Sequence, residues 1–151
     1  IHGELRDYVP PEKLREIHAK EPLSLSDLTV TAISSNGETD GRLMFVISMD
    51  NLRVFHGSNF SFAEDYGPKV FSEIIENANN VDVAFVPASG SLAEDFQYQL
   101  KLISMLRPQI VVTMQGSPDE QNALKNLIEK ENPSISVLIP ETLWVYELLA
   151  K

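Results

Sequence analysis

The chain has 151 residues, of which 43% are hydrophobic and 23% are charged, a composition typical of a globular protein with one core. Its formal net charge is −10. An acidic surface repels the phosphates of nucleic acids and anionic membranes, so we expect neither as a partner. The sequence contains no cysteine, which excludes disulfides, thiolate catalysis and Cys-ligated zinc. Together with the lack of a signal peptide or an apolar membrane span, this predicts a cytoplasmic protein.

The first predicted element is a helix between two proline sites. Pro10 and Pro11 predict its start, because proline is tolerated in the first helical turn. Leu14 and Ile17 then follow at helical spacing, and Pro22 ends the helix.

A three-stranded antiparallel meander follows, because β-branched and apolar residues alternate with polar ones between turn signals. Its strands are predicted over Leu28 to Ile33, Arg42 to Ser48 and Leu52 to Phe55. Ser34 to Asp40 forms a polar loop, and Asp50-Asn51 a tight turn.

After the meander the pattern changes to alternating helices and strands. The helix that Pro68 begins has an apolar face of Val70, Phe71, Ile74, Ile75 and Ala78. The other predicted elements are a strand over Val83 to Val86, a helix over Leu92 to Leu106, a strand over Ile110 to Met114, a helix capped by Ser117, and strands over Ser136 to Ile139 and Leu143 to Leu148. This order predicts one α/β (α+β) domain over residues 1–151, with a mixed sheet covered by helices.

Several segments, in this order, carry a resemblance to a known family. Val54 to Asn59 (VFHGSN) is similar to the motif "v-y-H-a-G-D", Val83 to Pro87 (VAFVP) to the strand that follows it, and Leu106 to Gln115 (LRPQIVVTMQ) to "l-k-P-k-v-v-v-P-m-H". Val137 to Leu148 fits the ending "v-l-e-p-G-e". The chain thereby resembles the compact metal-dependent hydrolases of the metallo-β-lactamase superfamily.

Two upstream segments extend the resemblance. Thr29 to Gly37 (TVTAISSNG) is similar to "t-V-t-a-i-p-s-n-H". His2 to Tyr8 (HGELRDY) is similar to the metal-binding signature "H-x-H-x-D-H", with one extra residue. The resemblance implies an incomplete αββα sandwich, of which this chain corresponds to the C-terminal two-thirds.

The resemblance also implies where metal ligands would lie, and most of these positions carry other residue types. In the signature, His2 is retained, Glu4 stands at a histidine position, Asp7 could match the aspartate, and Tyr8 replaces a histidine. A phenol with a pKa near ~10 is a poor zinc ligand at neutral pH.

At the strand ends, neutral groups stand where the resemblance implies ligands. Asn36 or Gly37 occupies a histidine position, Asn59 replaces the bridging aspartate and Gln115 replaces the last histidine. An amide cannot supply the negative charge that offsets the repulsion between two dications.

Each of these residues also has an ordinary structural interpretation. Glu4 and Asp7 are typical surface acids, and Asn59 and Gln115 are typical of amides that hydrogen-bond adjacent loops. His56 is expected to be a hydrogen-bonded structural histidine, and Gly57 to serve turn geometry.

These residues predict a catalytically inactive binding or scaffold module, with no catalytic residue and no cofactor. The alternative is a hydrolase of phosphoesters or cyclic esters with a single zinc or manganese ion held by His2, Glu4, Asp7 and Asn59. A third interpretation is an unrelated α/β interaction domain. Because the resemblance implies a further sheet, we expect a homodimer, or a partner chain that supplies the missing strands.

Overall fold

The computed structural model describes residues 10, 13, 15–34, 43–58, 67–88 and 96–140. The described strands are β1 (Leu23–Leu25), β2 (Leu28–Ser34), β3 (Leu43–Met49), β4 (Leu52–His56), β5 (Val83–Pro87), β6 (Ile110–Met114) and β7 (Ser136–Leu138). The described helices are α1 (Gly67–Ala78), α2 (Gln97–Leu106) and α3 (Pro118–Glu131). None of these helices is long and apolar enough to span a membrane.

The strands form one mixed sheet in the order in which they occur in the chain, from β1 to β7. Strands β1 to β4 are antiparallel, and β4 to β7 are parallel. The parallel part arises because a helix follows each of β4, β5 and β6 and returns the chain to the start of the next strand. The predicted fold class, a mixed sheet with helices, is confirmed.

Alternation along the strands separates two faces of the sheet. Met44, Phe55 and Val111 are fully buried and belong to the hydrophobic core, which also contains Ile74 of α1 and Leu102 of α2. Successive strand residues point to opposite faces, so the residues between them lie on the other side of the sheet. The core therefore lies between the sheet and the three described helices.

Helix α3 begins where the sequence predicted, at a complete capping box. The Ser117 hydroxyl accepts from the Glu120 backbone N–H, and the Glu120 carboxylate accepts from the Ser117 backbone N–H at 2.6 Å. Two backbone donors of the first turn are thereby satisfied. This start matters for the site, because α3 follows directly on the end of β6.

The helix predicted between Pro10 and Pro22 is wrong in its described part. A single turn closes at Lys13, whose N–H donates to the Pro10 carbonyl, and residues 15–18 have no regular structure. Ala19 then forms a bridge with Ala32 of β2. Pairing with the sheet thus prevails over a weak helical pattern that is too short to be stable alone.

Strand β1 was not predicted, because three residues of β1 give too little alternation to recognise. It pairs with β2 through a turn at Ser26, whose φ is 59°. The prediction that Ile75 lies on the inner face of α1 is also wrong, because Ile75 is 49% exposed while its neighbour Ile74 is fully buried. The predicted loop at 35–40 and the predicted strand over Leu143 to Leu148 lie outside the described residues.

Candidate functional site

The carboxyl ends of the four parallel strands lie along one edge of the sheet. The residues at these ends are His56 of β4, Pro87 of β5, Met114 of β6 and Leu138 of β7. In open sheets with parallel strands, ligands bind outside the carboxyl ends. The sequence-predicted position Gln115 follows directly on Met114 and therefore lies at this edge.

Gln115 adopts a backbone conformation that is uncommon for its residue type. Its φ is 54°, and Gly116 follows with a φ of 75°. A left-handed conformation costs a residue with a Cβ about 1–2 kcal/mol. These two residues end β6 and turn the chain into the Ser117 cap of α3. The Gln115 side chain is exposed and makes no hydrogen bond within the described part of the chain.

A buried hydrogen-bond network holds the turn around Gln115 in place. The fully buried Thr113 hydroxyl donates to Gln121 Oε1 at 3.1 Å and also lies 3.4 Å from the Leu138 carbonyl oxygen. Gln121 Nε2 donates to the Gly116 carbonyl at 3.3 Å. The network joins β6, β7, the turn and the first turn of α3. The sequence did not predict a role for Thr113 or Gln121. The one visible signal is Thr113 itself, a polar residue inside the apolar strand IVVTM.

His56 is fixed at the end of β4 by a local hydrogen bond. The Ser58 backbone N–H donates to His56 Nδ1 at 3.1 Å, so this nitrogen acts as an acceptor. The ring lies 5.8 Å from the ring of Phe85, measured between centroids. The structural interpretation of His56 agrees with this geometry, because its Nδ1 is used within the loop.

Gly57 permits a close approach between β4 and β5. Its N–H donates to the Phe85 carbonyl at 2.9 Å, and an added Cβ would lie 3.0 Å from both Phe85 O and Pro87 Cδ. The prediction that Gly57 serves turn geometry therefore needs correction. Within the described segments Gly116 is the glycine with positive φ, and Gly57 is required for space.

These strand ends border a hollow of about 840 Å³ on the face of the sheet opposite the helices. Its floor is formed by residues of β4 to β7, and its polar lining by His56, Thr113, Gln115 and Gln121. The apolar lining residues are Val54, Val83, Phe85, Ile110, Val112, Met114, Leu138 and Pro140. None of these described lining residues is an acid, a lysine or an arginine.

The described donor set at this edge does not fit a catalytic zinc ion. Such a site needs three protein ligands of the histidine or carboxylate type. Among the residues that the structure describes, no group of three His, Cys, Asp or Glu could hold a metal ion. The structure brings Gln115 and His56 to one hollow. The other predicted positions, which are His2, Glu4, Asp7, Tyr8, Asn36 and Asn59, lie outside the described residues.

Solved structures share this fold. The chain is similar to a protein from Parabacteroides distasonis assigned as a metal-dependent hydrolase, with a TM-score of 0.57 and 17% identity over 85% of this chain and 58% of that one. It is similar to Igni18, a metallo hydrolase from the archaeon Ignicoccus hospitalis, with a TM-score of 0.58 and 20% identity over 93% of this chain and 62% of that one. It is also similar to the metallo-β-lactamase fold protein YhfI from Bacillus subtilis, with a TM-score of 0.59 and 13% identity over 87% of this chain and 54% of that one.

No protein-family profile and no curated protein sequence matches the chain. The chain has a metallo-β-lactamase fold, and the resemblance stated from the sequence is confirmed at the level of the fold. It spans 54 to 62% of the length of these three proteins. At 13 to 20% identity, the similarity concerns the fold and not the reaction.

Proposed function

We propose that this chain is a catalytically inactive metallo-β-lactamase-fold protein that acts as a binding or scaffold module. The observation that carries the proposal is Gln115 at the end of β6, where the resemblance implies a ligand histidine. The strand end and its sharp turn are present, but the side chain that follows them is a neutral amide.

Donor chemistry supports this proposal. A dication that activates water needs imidazole or carboxylate donors, because these groups give up a lone pair or a negative charge to the metal. Gln115 offers only an amide oxygen, and the Nδ1 atom of His56 already accepts from the Ser58 backbone. The edge where ligands would converge therefore has weak donors among its described residues.

The hollow beside Gln115 supports a binding role. Its described lining includes Phe85, Val112 and Leu138 and contains no aspartate, glutamate, lysine or arginine. A dication placed against such a surface would lose hydration without gaining anionic ligands. An apolar surface favours contact with another apolar surface instead.

Metal analysis of the 151-residue chain tests the proposal, because this chain also includes the six predicted positions outside the described residues. The protein would be purified without chelator, and its zinc, manganese and iron would be measured by mass spectrometry. We expect much less than one equivalent of metal, and no hydrolysis of a phosphodiester or a lactone when zinc or manganese is added. Stoichiometric metal together with hydrolysis that a chelator abolishes would establish the alternative, a single-metal hydrolase.

Restoring the donor side chains gives a second test, in which zinc affinities are compared. The double variant Asn59→Asp and Gln115→His is expected to bind zinc more tightly than the unmodified chain, because it returns an anionic and an imidazole donor. The variant Asn122→His serves as the control, since Asn122 is exposed on α3 and does not line the hollow. Equal zinc affinity in all three proteins would contradict the reasoning from donor chemistry.

A further inference from the structure

We propose that a second copy of this chain covers the sheet face opposite the helices, so that two copies pack sheet to sheet. The inference rests on the proposed binding role and names its partner. We call this surface the open face. It is formed by Val30, Phe45, Ile47, Val54, His56, Phe85, Ile110, Val112 and Leu138, which alternate with the core residues along β2 to β7.

The open face is apolar and partly exposed. On the same side of the sheet Ala32, Ser34, Val83 and Pro87 are buried, whereas the nine residues named above are not. Every residue in this set remains partly exposed, whereas the residues between them on the helix side, such as Phe55 and Val111, are fully buried. None of the set belongs to the hydrophobic core. Neighbouring strands place Phe45, His56 and Phe85 side by side, and Val112 and Leu138 continue the same row. Contiguous apolar surface of this kind marks an interaction site.

The distribution of charged residues favours a partner surface that is itself uncharged. The chain carries 22 acidic and 12 basic residues. Of those in the described segments, none is among the residues that form the open face. Two copies therefore repel each other over most of their surfaces and can approach closely where acids are absent. The open face of a second copy has the required chemistry, and two twisted sheets pack face to face at about 10 Å with their strands offset by about 30°.

The size of the open face is sufficient for a dimer of modest affinity. Six strands at about 4.8 Å spacing and about five residues of about 3.3 Å each cover at most about 500 Å². Two such faces bury at most about 1,000 Å², which is the lower limit for a specific interface. Such a dimer would place the helices outside and the two sheets inside, in the αββα layer order that the resemblance implies. A twofold axis would relate the two copies.

Sedimentation velocity of the 151-residue chain between about 1 and 100 μM tests the inference, a range chosen for an interface of this size. We expect a dimer at the upper concentrations. Val112→Asp places a charge on the open face, between its neighbours Phe85 and Leu138, and is expected to weaken dimerisation by about thirtyfold or more. Val112→Thr is a milder variant that keeps the shape of the side chain. It replaces the aspartate variant in the test if circular dichroism shows that the aspartate variant is unfolded.

Ile75→Asp is the matched control, because Ile75 is an exposed apolar residue on α1. It is expected to dimerise like the unmodified chain. A monomer at 100 μM would overturn the inference, and so would a dimer that both Val112 variants leave unchanged. The metal content of the same sample separates the two proposals. A metal-loaded dimer that hydrolyses substrate overturns the proposed function, whereas a metal-free monomer overturns the inference about the second copy.

Discussion

Replacing Gly57 by alanine probes the contact that holds the ends of β4 and β5 together. The added Cβ would lie 3.0 Å from Phe85 O and from Pro87 Cδ, whereas unstrained carbon contacts begin at about 3.5 Å. The neighbouring atoms must therefore move by a few tenths of an ångström at this point. One of the two contacts is a backbone carbonyl, which cannot move away by rotating a side chain.

The expected cost follows from two contributions. Overpacking a tight contact costs about 1–3 kcal/mol. The Gly57 N–H donates to the same Phe85 carbonyl at 2.9 Å, and stretching this bond removes up to about 1 kcal/mol more. We therefore expect Gly57→Ala to lower the free energy of unfolding by about 2 kcal/mol or more.

Urea denaturation followed by circular dichroism measures this change. With a slope of about 2 kcal/mol per molar urea for a chain of this size, the midpoint should fall by about 1 M. Ser58→Ala is the matched control, because it changes the adjacent residue but leaves its backbone N–H free to donate to His56. The control should stay within about 0.5 kcal/mol of the unmodified chain. A Gly57→Ala variant as stable as the control would refute the steric argument.

Three further substitutions test the turn between β6 and α3 in the same denaturation assay. Ser117→Ala removes the hydroxyl that accepts from the Glu120 N–H and should cost about 1 kcal/mol; an unchanged midpoint would show that the capping box contributes nothing. Thr113→Val removes the buried donor to Gln121 Oε1 and should cost about 1–2 kcal/mol, an expectation that a more stable variant would contradict. Gln115→Gly relieves a φ of 54° and should raise stability by up to about 1 kcal/mol, whereas a loss of stability would mean that the glutamine side chain stabilises the turn.

The elements that the sequence predicts well are those whose pattern is local. Strand β6 has the predicted bounds, because an apolar run lies between Pro108 and a polar turn, and α3 begins at the predicted Ser117 cap. The failures depend on contacts between distant segments. The helix after Pro10 is absent from residues 15–18, where the chain runs on to the bridge between Ala19 and Ala32. No local pattern reports such a contact.

In the candidate site, too, the local features could be predicted from the sequence and the contacts between distant segments could not. The position of Gln115 could be predicted, because the end of an apolar strand is visible in the sequence. The link from Thr113 to Gln121 could not, because it depends on how α3 docks against the end of β6. The sequence predicts turn geometry as the reason for Gly57, whereas the structure shows that a larger residue would lack space. A sequence alone cannot distinguish a glycine needed for a positive φ from one needed because neighbouring atoms are close.

The turn at Gln115 combines an uncommon backbone conformation with a side chain that is a weak metal donor. A left-handed residue that is not glycine costs stability, and such conformations concentrate at functional sites. Here the conformation is present and the supporting network through Thr113 is complete, yet the side chain is an amide without a hydrogen bond in the described part of the chain. The turn therefore presents a neutral amide beside a hollow lined with apolar residues. This combination supports the proposed binding module, because an amide is a weak metal donor while the fold still positions the apolar face.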